Sequence, residues 1–272
     1  MAERSLLFVP GARPERFGKA LAAGADIVCI DLEDSVPPAG KDAARAAAIA
    51  FIAERGAPDG LWLRINPVRS QAGLADLLAV LNAPKSPAAL MLPKLTDPAD
   101  LALLDEVLGE RKVALVPLIE TAAGLRNAAS IATAKRVRAL LFGAVDLSAE
   151  LGCALEWEPL LYARSALVAA AAEGGVGLFD VPHIDVADAD SLAAGTARAR
   201  ALGFTGRACI HPSQVAVVND VFIPTEAETA RARRVVEAFA AAGGGVALLD
   251  GKLIEIPVVR AARRVLAAAA AG

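Results

Sequence analysis

Short apolar runs alternate along the chain with longer alanine-rich stretches, and the alternation repeats at regular intervals. The runs lack the polar alternation of a half-exposed strand, which is typical of strands buried on both faces of a parallel sheet. The stretches between them hold good helix formers and often have Asp, Ser or Thr near their start. The predicted strands are 6–9, 27–31, 61–65, 89–92, 113–119, 139–142, 177–181 and 207–210. The predicted helices between them include 42–54, 98–108, 121–134, 160–173 and 187–202.

Eight β-α repeats of about 25 residues each fit the size of a closed (β/α)8 barrel, the TIM barrel of the α/β class. An open doubly wound sheet is the alternative, but the glycine-rich dinucleotide turn is missing after the first strand. We predict a barrel catalytic domain over residues 1–222. Residues 223–272 lie outside the eight repeats, with one helix from Pro224-Thr225-Glu226 towards Ala242 and a last helix after Pro257. We expect them to form a C-terminal helical extension that acts as a lid or an oligomer contact.

Composition and charge exclude several classes of protein. A hydrophobic fraction of 56% with only 22% charged residues excludes a disordered chain. The net charge of −3 leaves no basic excess to neutralise a nucleic-acid backbone. No apolar stretch reaches the roughly 18 residues of a transmembrane helix, and the start of the chain does not resemble a signal segment. Three widely spaced cysteines suit a reducing compartment. We therefore expect a cytoplasmic protein without a membrane or nucleic-acid partner.

Polar residues follow the predicted strands, and chemistry in this barrel class gathers at the carboxyl ends of the strands. Glu120 and Asp146 follow the fifth and sixth strands, so two carboxylates are expected at one mouth. Carboxylate oxygens without a His or Cys cluster favour Mg²⁺ and disfavour zinc. The alternative for Glu120 is that it only caps the helix that begins at Thr121. We predict Glu120 and Asp146 as metal ligands.

Arg64 closes the third strand among apolar neighbours, so we expect its guanidinium to face the barrel mouth. Its fixed fork of donors suits a substrate carboxylate or a developing enolate oxygen. The alternative is a structural pair with Asp31 or Glu33. Glu33 and Asp34 follow the second strand as adjacent carboxylates, of which one is expected to face the mouth. Arg64, Glu33 and Asp34 are therefore candidate catalytic residues.

Basic residues near two other strands are candidate substrate contacts. Arg13, Arg16 and Lys19 flank the first loop and its helix, where they would grip a phosphate. Charged residues on a helix face are usually only solvated, so this signal is weak when taken alone. Lys94 follows the fourth strand and completes the set.

Motifs at these positions follow one another in order over almost the whole chain. They occupy residues 4–11, 13–17, 31–34, 64–67, 92–94, 119–124, 142–147, 162–165, 210–214 and 251–254. Together they resemble the citrate lyase β-subunit branch of the HpcH/HpaI aldolase superfamily, whose members include malyl-CoA and citramalyl-CoA lyases. Because the motifs span the chain in order, the resemblance is specific at the level of the family.

The resemblance implies a barrel that cleaves or forms a carbon–carbon bond in an acyl thioester with Mg²⁺ as cofactor. It implies that Glu120 and Asp146 hold the metal and that Arg64 contacts the substrate and its enolate. A 3-hydroxyacyl thioester such as malyl-CoA or citramalyl-CoA would give an acyl-CoA and a 2-oxo acid. The alternatives are a citrate lyase β-subunit acting on citryl-acyl-carrier protein and an aldolase acting on free hydroxy-oxo acids. A barrel that only binds ligands is disfavoured by the carboxylate pair and Arg64.

The resemblance also bears on assembly and on the C-terminal extension. Relatives are commonly trimers or larger, the extension of one subunit covers the site of the next, and the first-loop basic residues lie where relatives bind CoA. We therefore expect a homo-oligomer. Glu255 stands where relatives often have Asp as the candidate acid or base on this lid, and we include it among the catalytic candidates. His183 stands where relatives often carry Tyr, which leaves the identity of the substrate open.

Overall fold

A computed structural model describes residues 3–55 and 60–271 of the chain. The chain divides into a barrel unit, Glu3–Asn219, and a C-terminal unit that begins at Asp220. In the barrel unit, eight parallel strands form a closed barrel in sequence order, and the first strand pairs with both the second and the eighth. The predicted barrel fold is confirmed. The strands are β1 (Ser5–Pro10), β2 (Ile27–Asp31), β3 (Leu61–Arg64), β4 (Ala89–Leu92), β5 (Ala114–Ile119), β6 (Ala139–Phe142), β7 (Gly177–Asp180) and β8 (Gly206–Cys209).

Side chains that point inward from these strands fill the barrel interior. The interior cluster includes Trp62, whose ring meets Phe179 edge-on with 5.9 Å between the ring centroids. The cluster also contains Met91, Val116 and Leu141, which are all buried. Because the interior is packed with apolar groups, the barrel is a solid core and ligands have room only at its ends.

Helices follow the strands and surround the barrel. One predicted helix, 121–134, is wrong as a single element, because the structure divides it at Asn127. The Asn127 backbone leaves the helical region, with φ −96° and ψ 7°, and its side-chain Nδ2 donates to the Thr96 carbonyl at 2.7 Å. Asn side chains compete in this way with the helical ladder. The helices are α1 (Phe17–Leu21), α2 (Lys41–Arg55), α3 (Gln71–Asn82), α4 (Pro98–Leu108), α5 (Ala122–Arg126), α6 (Ala128–Ala132), α7 (Ala144–Leu151), α8 (Leu161–Gly174), α9 (Ala189–Leu202) and α10 (Ser213–Phe222).

The C-terminal unit is a pair of helices with a small hairpin between them. A capping box formed by Thr225 and Glu228 starts its first helix, which agrees with the predicted helix start. The hairpin turns at Asp250 and Gly251, whose φ values of 51° and 71° suit the tight turn of a two-residue hairpin. Val235, Ile254 and Val259 belong to its own small apolar core. The elements are α11 (Glu226–Ala241), β9 (Ala247–Leu249), β10 (Lys252–Ile254) and α12 (Ile256–Ala271).

Two further features of the described residues concern the environment of the chain. No helix in that part of the chain combines the length and the apolar character needed to cross a lipid bilayer. The three cysteines are free thiols, with Cys29 and Cys209 buried and Cys153 half-buried.

Candidate active site

A cavity of about 490 Å³ lies at the carboxyl ends of the barrel strands. Five ionisable residues line it, namely Asp31, Asp34, Arg64, Glu120 and Asp146. Each comes from the end of a strand or from the segment that follows one, since the parallel strands deliver their carboxyl ends to the same face of the barrel. The structure therefore brings four of the predicted site residues into one cavity and adds Asp31 to them.

Glu120 and Asp146 are the two neighbouring carboxylates of this cavity. Glu120 directly follows β5 and is 3% exposed, whereas Asp146 is exposed and lies in the first turn of α7. The Glu120 Oε1 atom accepts a hydrogen bond from the Lys94 backbone N–H at 2.7 Å. Burial raises the pKa of Glu120 to about 8, the negative charges of Glu33 and Asp146 add to the shift, and the Lys94 N–H opposes it. The pair thus concentrates negative charge that a bound cation would stabilise.

The surroundings of the pair fit a magnesium ion. A Cβ atom at Gly143 would lie 2.3 Å from the Glu120 Cβ and 2.9 Å from its Oε2, so only glycine leaves this carboxylate its place. Within residues 3–55 and 60–271, no group of three His, Cys, Asp or Glu side chains is arranged around a common metal position. Mg²⁺ commonly takes one or two protein carboxylates and completes its six ligands with water and substrate. Glu120 and Asp146 match this donor set.

Arg64 is held by the carboxylate of Asp31, which lies next to it in the strand register. Its Nε and Nη2 atoms donate to the two Asp31 oxygens at 2.6 Å and 2.8 Å, and its guanidinium carbon lies 4.9 Å from the centre of the Phe8 ring. This is the structural pairing considered as the alternative for Arg64. Hydrogens on Nη1 and Nη2 remain for a ligand, because a guanidinium carries five N–H donors. Arg64 is thus both clamped and in contact with the cavity.

Asp31 and Glu33, the two buried carboxyl groups beside Arg64, have opposite pKa shifts. Burial alone would raise the pKa of Asp31, but the hydrogen bonds and charge of Arg64 hold it below its usual range. Glu33 is also buried, and burial raises its pKa to about 7 in spite of the Arg64 charge. The Glu33 Oε2 atom lies 3.0 Å from Arg64 Nη1 yet has no aligned hydrogen-bond donor in the described part of the chain. A carboxyl group with a pKa near neutrality can give or take a proton at working pH.

Two charged neighbours of Glu33, Lys94 and Asp34, differ in their relation to the cavity. The Lys94 backbone adopts the left-handed conformation, with φ 54°, and its N–H bonds to Glu120 from that turn. Its ammonium is 4.0 Å from Glu33 and half-exposed. Such backbone conformations are found at functional sites, where the surrounding structure holds them in place. The exposed Asp34 carboxylate lines the cavity, whereas the buried Glu33 carboxylate does not. The two adjacent carboxylates thus differ in burial and in contact with the cavity.

Other predicted residues lie outside this cavity. Arg13 pairs with Glu15 at 2.6 Å, Arg16 is 4.0 Å from the same carboxylate, and both arginine side chains are about half-exposed. Lys19 lies on α1 and does not line the cavity. Glu255 is an exposed residue of the C-terminal unit, directly before α12. The roles predicted for these four residues stay predictions.

Two residues of the site were not predicted as functional. Asp31 entered the sequence analysis only as a structural partner of Arg64, and Gly143 only as part of a motif. The signal for Asp31 was an acidic residue at the end of an otherwise apolar strand. The signal for Gly143 was a glycine directly after β6, where a backbone approaches another group closely.

The barrel and its cavity define an enzyme in which a carboxylate pair and a clamped arginine share the mouth of a (β/α)8 fold. The sequence profile of the HpcH/HpaI aldolase/citrate lyase family matches residues 4–212. The chain belongs to this family. The predicted class of enzyme, a carbon–carbon lyase, is thereby confirmed at the level of the family.

Three proteins illustrate the similarity. The L-malyl-CoA/beta-methylmalyl-CoA lyase of Rhodobacter capsulatus is 32% identical, covering 95% of this chain and 92% of its own. The (3S)-malyl-CoA thioesterase of Cereibacter sphaeroides is 35% identical, covering 98% and 95%. Among solved structures, CitE from Mycobacterium tuberculosis in complex with magnesium, acetoacetate and coenzyme A superposes with a TM-score of 0.84. It is 33% identical and covers 99% of this chain and 98% of its own.

Proposed function

We propose that this lyase acts on a CoA thioester and cleaves a 3-hydroxyacyl-CoA, such as malyl-CoA or citramalyl-CoA, into an acyl-CoA and a 2-oxo acid. The observation that carries the proposal is the Glu120–Asp146 pair beside the clamped Arg64 in one cavity. The names of the relatives and the ligands of the CitE structure support it. A citrate lyase β-subunit acting on citryl-acyl-carrier protein is the second candidate, and it shares the same site.

Glu120 and Asp146 would hold Mg²⁺ as the cofactor. When bound, Mg²⁺ supplies Lewis-acid polarisation of the carboxylate and hydroxyl oxygens of the substrate. Glu120 is fixed for this role by burial and by the Lys94 N–H, and Asp146 is fixed by the first turn of α7. Gly143 keeps the space around Glu120 free of side-chain atoms.

Arg64 would stabilise the enolate oxygen that forms when the carbon–carbon bond breaks. Asp31 holds the guanidinium plane in one orientation, so the remaining N–H donors are aligned before the substrate arrives. Donors placed in advance at a developing negative charge are worth about 10²-fold or more in turnover.

Glu33 and Asp34 are the two candidates for the group that removes the proton from the substrate hydroxyl. Glu33 has the suitable pKa of about 7, and Asp34 has the direct contact with the cavity. Comparing Glu33→Gln with Asp34→Asn separates the two candidates, because the variant of the true proton acceptor should lose turnover much more than substrate affinity.

Basic residues of the barrel unit would contact the CoA thioester. They are Arg13, Arg16, Lys19 and Lys94. Variants that remove the charge of these residues should raise KM for CoA substrates.

The proposal is tested with malyl-, citramalyl-, 3-methylmalyl- and citryl-CoA, and with a citryl-acyl-carrier protein, each with and without Mg²⁺. Carbon–carbon cleavage releases glyoxylate, pyruvate or oxaloacetate and leaves the thioester intact. Thioester hydrolysis, the reaction named for the Cereibacter relative, releases free CoA thiol instead. Release of thiol without a 2-oxo acid, or no product from any substrate, would overturn the proposal. Activity on the carrier-protein substrate alone would favour the second candidate.

The metal assignment has its own test. Glu120→Gln and Asp146→Asn should weaken Mg²⁺ binding in calorimetry while the melting temperature shows that the barrel is still folded. Asp42→Asn is the matched control, because its side chain on α2 is 94% exposed and lies outside the cavity. Unchanged Mg²⁺ affinity in both site variants would refute the assignment.

We also propose that the chain forms a homo-oligomer, a trimer or larger, in which Glu255 of one subunit serves the barrel of another. In support, the C-terminal unit exposes the apolar residues Leu248, Leu253 and Ile256 by 72%, 53% and 55%. Mixing inactive Glu255→Gln with inactive Asp146→Ala should recover part of the activity as subunits exchange. Full activity of Glu255→Gln alone, or no recovery despite proven exchange, would refute this role.

A further inference from the structure

A second cavity, of about 260 Å³, adjoins the active-site cavity, and Val181 and Pro182 line both. It lies between the segment that precedes α8 and the loop that follows β7. Two arginines line it, Arg164 from α8 and Arg207 from β8, and each side chain is only 7% exposed. Arginine is rarely buried unless its charge is neutralised, so this pair requires a partner.

The two arginines share one buried carboxylate, that of Asp180. Arg164 Nε donates to Asp180 Oδ1 at 3.2 Å, and Arg207 Nη1 lies 3.9 Å from Asp180 Oδ2, beyond hydrogen-bond reach. Within residues 3–55 and 60–271, the one hydrogen bond of Arg207 Nη1 is to the Thr196 hydroxyl, at 3.3 Å. Two cations against one anion leave the buried cluster with an excess positive charge. Burial accordingly lowers the pKa of Arg207, and the charge of Asp180 only partly opposes this.

Several polar atoms of this cluster have no hydrogen-bond partner among the residues that the structure describes. They include Arg164 Nη1, Arg207 Nε and His183 Nε2, all on residues that line the cavity, together with Asp180 Oδ2. Buried polar atoms in folded proteins are almost always hydrogen-bonded. Unused N–H groups on both guanidiniums of this buried cluster are what the two oxygens of a carboxylate would satisfy.

The rest of the lining suits an organic ligand of low charge. The Trp157 ring is held by two arginines, since the guanidinium carbons of Arg164 and Arg198 lie 4.6 Å and 4.4 Å from its centre. Leu155 and Leu160 add apolar surface to the cavity. The exposed residues Glu156 and Asp185 also line the cavity and would repel a highly charged phosphate.

We propose that this second cavity binds a small organic monocarboxylate through Arg164 and Arg207, separately from the metal site. The ligand's carboxylate takes the unused guanidinium donors, and its apolar part lies against Trp157 and Leu160. Because the two cavities share Val181 and Pro182, occupancy of one is placed to influence the other.

The test uses sodium propionate as the probe in Mg²⁺-free buffer, with sodium chloride at equal ionic strength as the reference. Propionate should give a saturable change in tryptophan fluorescence and a rise in melting temperature. Trp157→Phe should lose the fluorescence change and keep the rise, since the other tryptophan, Trp62, lies in the barrel interior. Arg64→Lys, which alters the first cavity, should bind propionate as the wild type does.

Arg207→Met is the decisive variant, because it leaves Arg164 and Asp180 as a neutral pair. Without propionate it should melt no lower than the wild type, and its affinity for propionate should fall at least tenfold. Arg207→Lys, which keeps the charge and lacks the Nε donor, should also bind more weakly and serves if the first variant does not fold. The proposal would be overturned if the folded Arg207→Met variant bound propionate as tightly as the wild type does. It would also be overturned if sodium chloride gave the wild type the same fluorescence and melting response as propionate, or if phosphate bound more tightly than propionate.

Discussion

Replacing Gly143 by alanine should displace Glu120, a proposed metal ligand, by the addition of a single methyl group. The Gly143 backbone has φ −91° and ψ 69°, so alanine is not excluded by a positive φ and the effect is steric. The new Cβ would lie 2.3 Å from the Glu120 Cβ, whereas carbon atoms in contact are normally about 3.5 Å apart. One of the two groups must therefore move by about 1 Å.

A shift of that size exceeds what the proposed Mg²⁺ site would tolerate. Mg²⁺ requires ligand oxygens at about 2.0–2.1 Å in near-ideal octahedral geometry. Disturbing groups that only orient a ligand already costs about 10–100-fold in metal affinity. We expect Gly143→Ala to bind Mg²⁺ about 100-fold more weakly and to lose turnover in proportion. The overpacking itself should reduce the free energy of unfolding by about 1–3 kcal/mol.

Calorimetric titration with Mg²⁺, thermal melting and steady-state kinetics on malyl-CoA measure the three effects separately. Gly40→Ala is the matched control, because its Cβ would meet Val36 Cγ1 at an ordinary 3.5 Å. This control should keep its Mg²⁺ affinity and its turnover. If Gly143→Ala melts lower but binds Mg²⁺ as tightly as the wild type, Glu120 is not a metal ligand and the reasoning is wrong.

Three other perturbations address the clamp, the pH dependence and the scaffold. Arg64→Lys should lose about 10²-fold or more in turnover, measured by steady-state kinetics, because an ammonium cannot reproduce the planar contact with Asp31; near-normal turnover would make Arg64 purely structural. Folding raises the pKa of Glu33 from 4.5 to about 7. Between these pH values the folded state keeps a proton that the unfolded chain has released, so the contribution of Glu33 to stability falls as pH rises. Glu33→Gln should therefore gain in free energy of unfolding relative to the wild type between pH 5 and pH 8 in denaturant titrations, and an unchanged difference would contradict the shift. Asp76→Asn should cost about 3 kcal/mol in the same titrations, since the buried Asp76 accepts from Arg45 Nε at 2.6 Å and from the Asn66 backbone and side chain. Asp42→Asn, which removes an exposed partner of the same Arg45, should cost less than about 1 kcal/mol, and equal losses would show that burial does not set the difference.

The barrel could be predicted from the sequence because each of its strands is a continuous run of mainly apolar residues. Each of the eight strands lies within one residue of its predicted bounds. The helix break at Asn127 was not predictable in the same way. It depends on a hydrogen bond to Thr96, which is distant in sequence and belongs to the preceding β-α loop. Local propensity contains no information about such a partner.

The site residues could likewise be predicted where they depend on local sequence, and not where they depend on contacts between distant segments. Acidic and basic residues at strand ends identified Arg64, Glu120 and Asp146, because strand order alone brings them to one face. Whether Arg64 is clamped or free depends on the lateral register that sets Asp31 beside it, and the sequence left both readings open. The excess charge at Arg164 and Arg207 was also out of reach, since it arises from packing α8 against β7 and β8.

The hydrogen bond from the Lys94 backbone to Glu120 joins the first four β-α units to the last four. Asp31 and Arg64 come from the first half-barrel, and Glu120, Gly143 and Asp146 come from the second. A fragment ending after β4 would contain the arginine clamp without the carboxylate pair, and its complement would contain the reverse. The second half would thus keep both proposed metal ligands but lack the Lys94 N–H that positions Glu120. A rise in Mg²⁺ affinity on mixing would therefore report how completely two separately expressed halves reassemble.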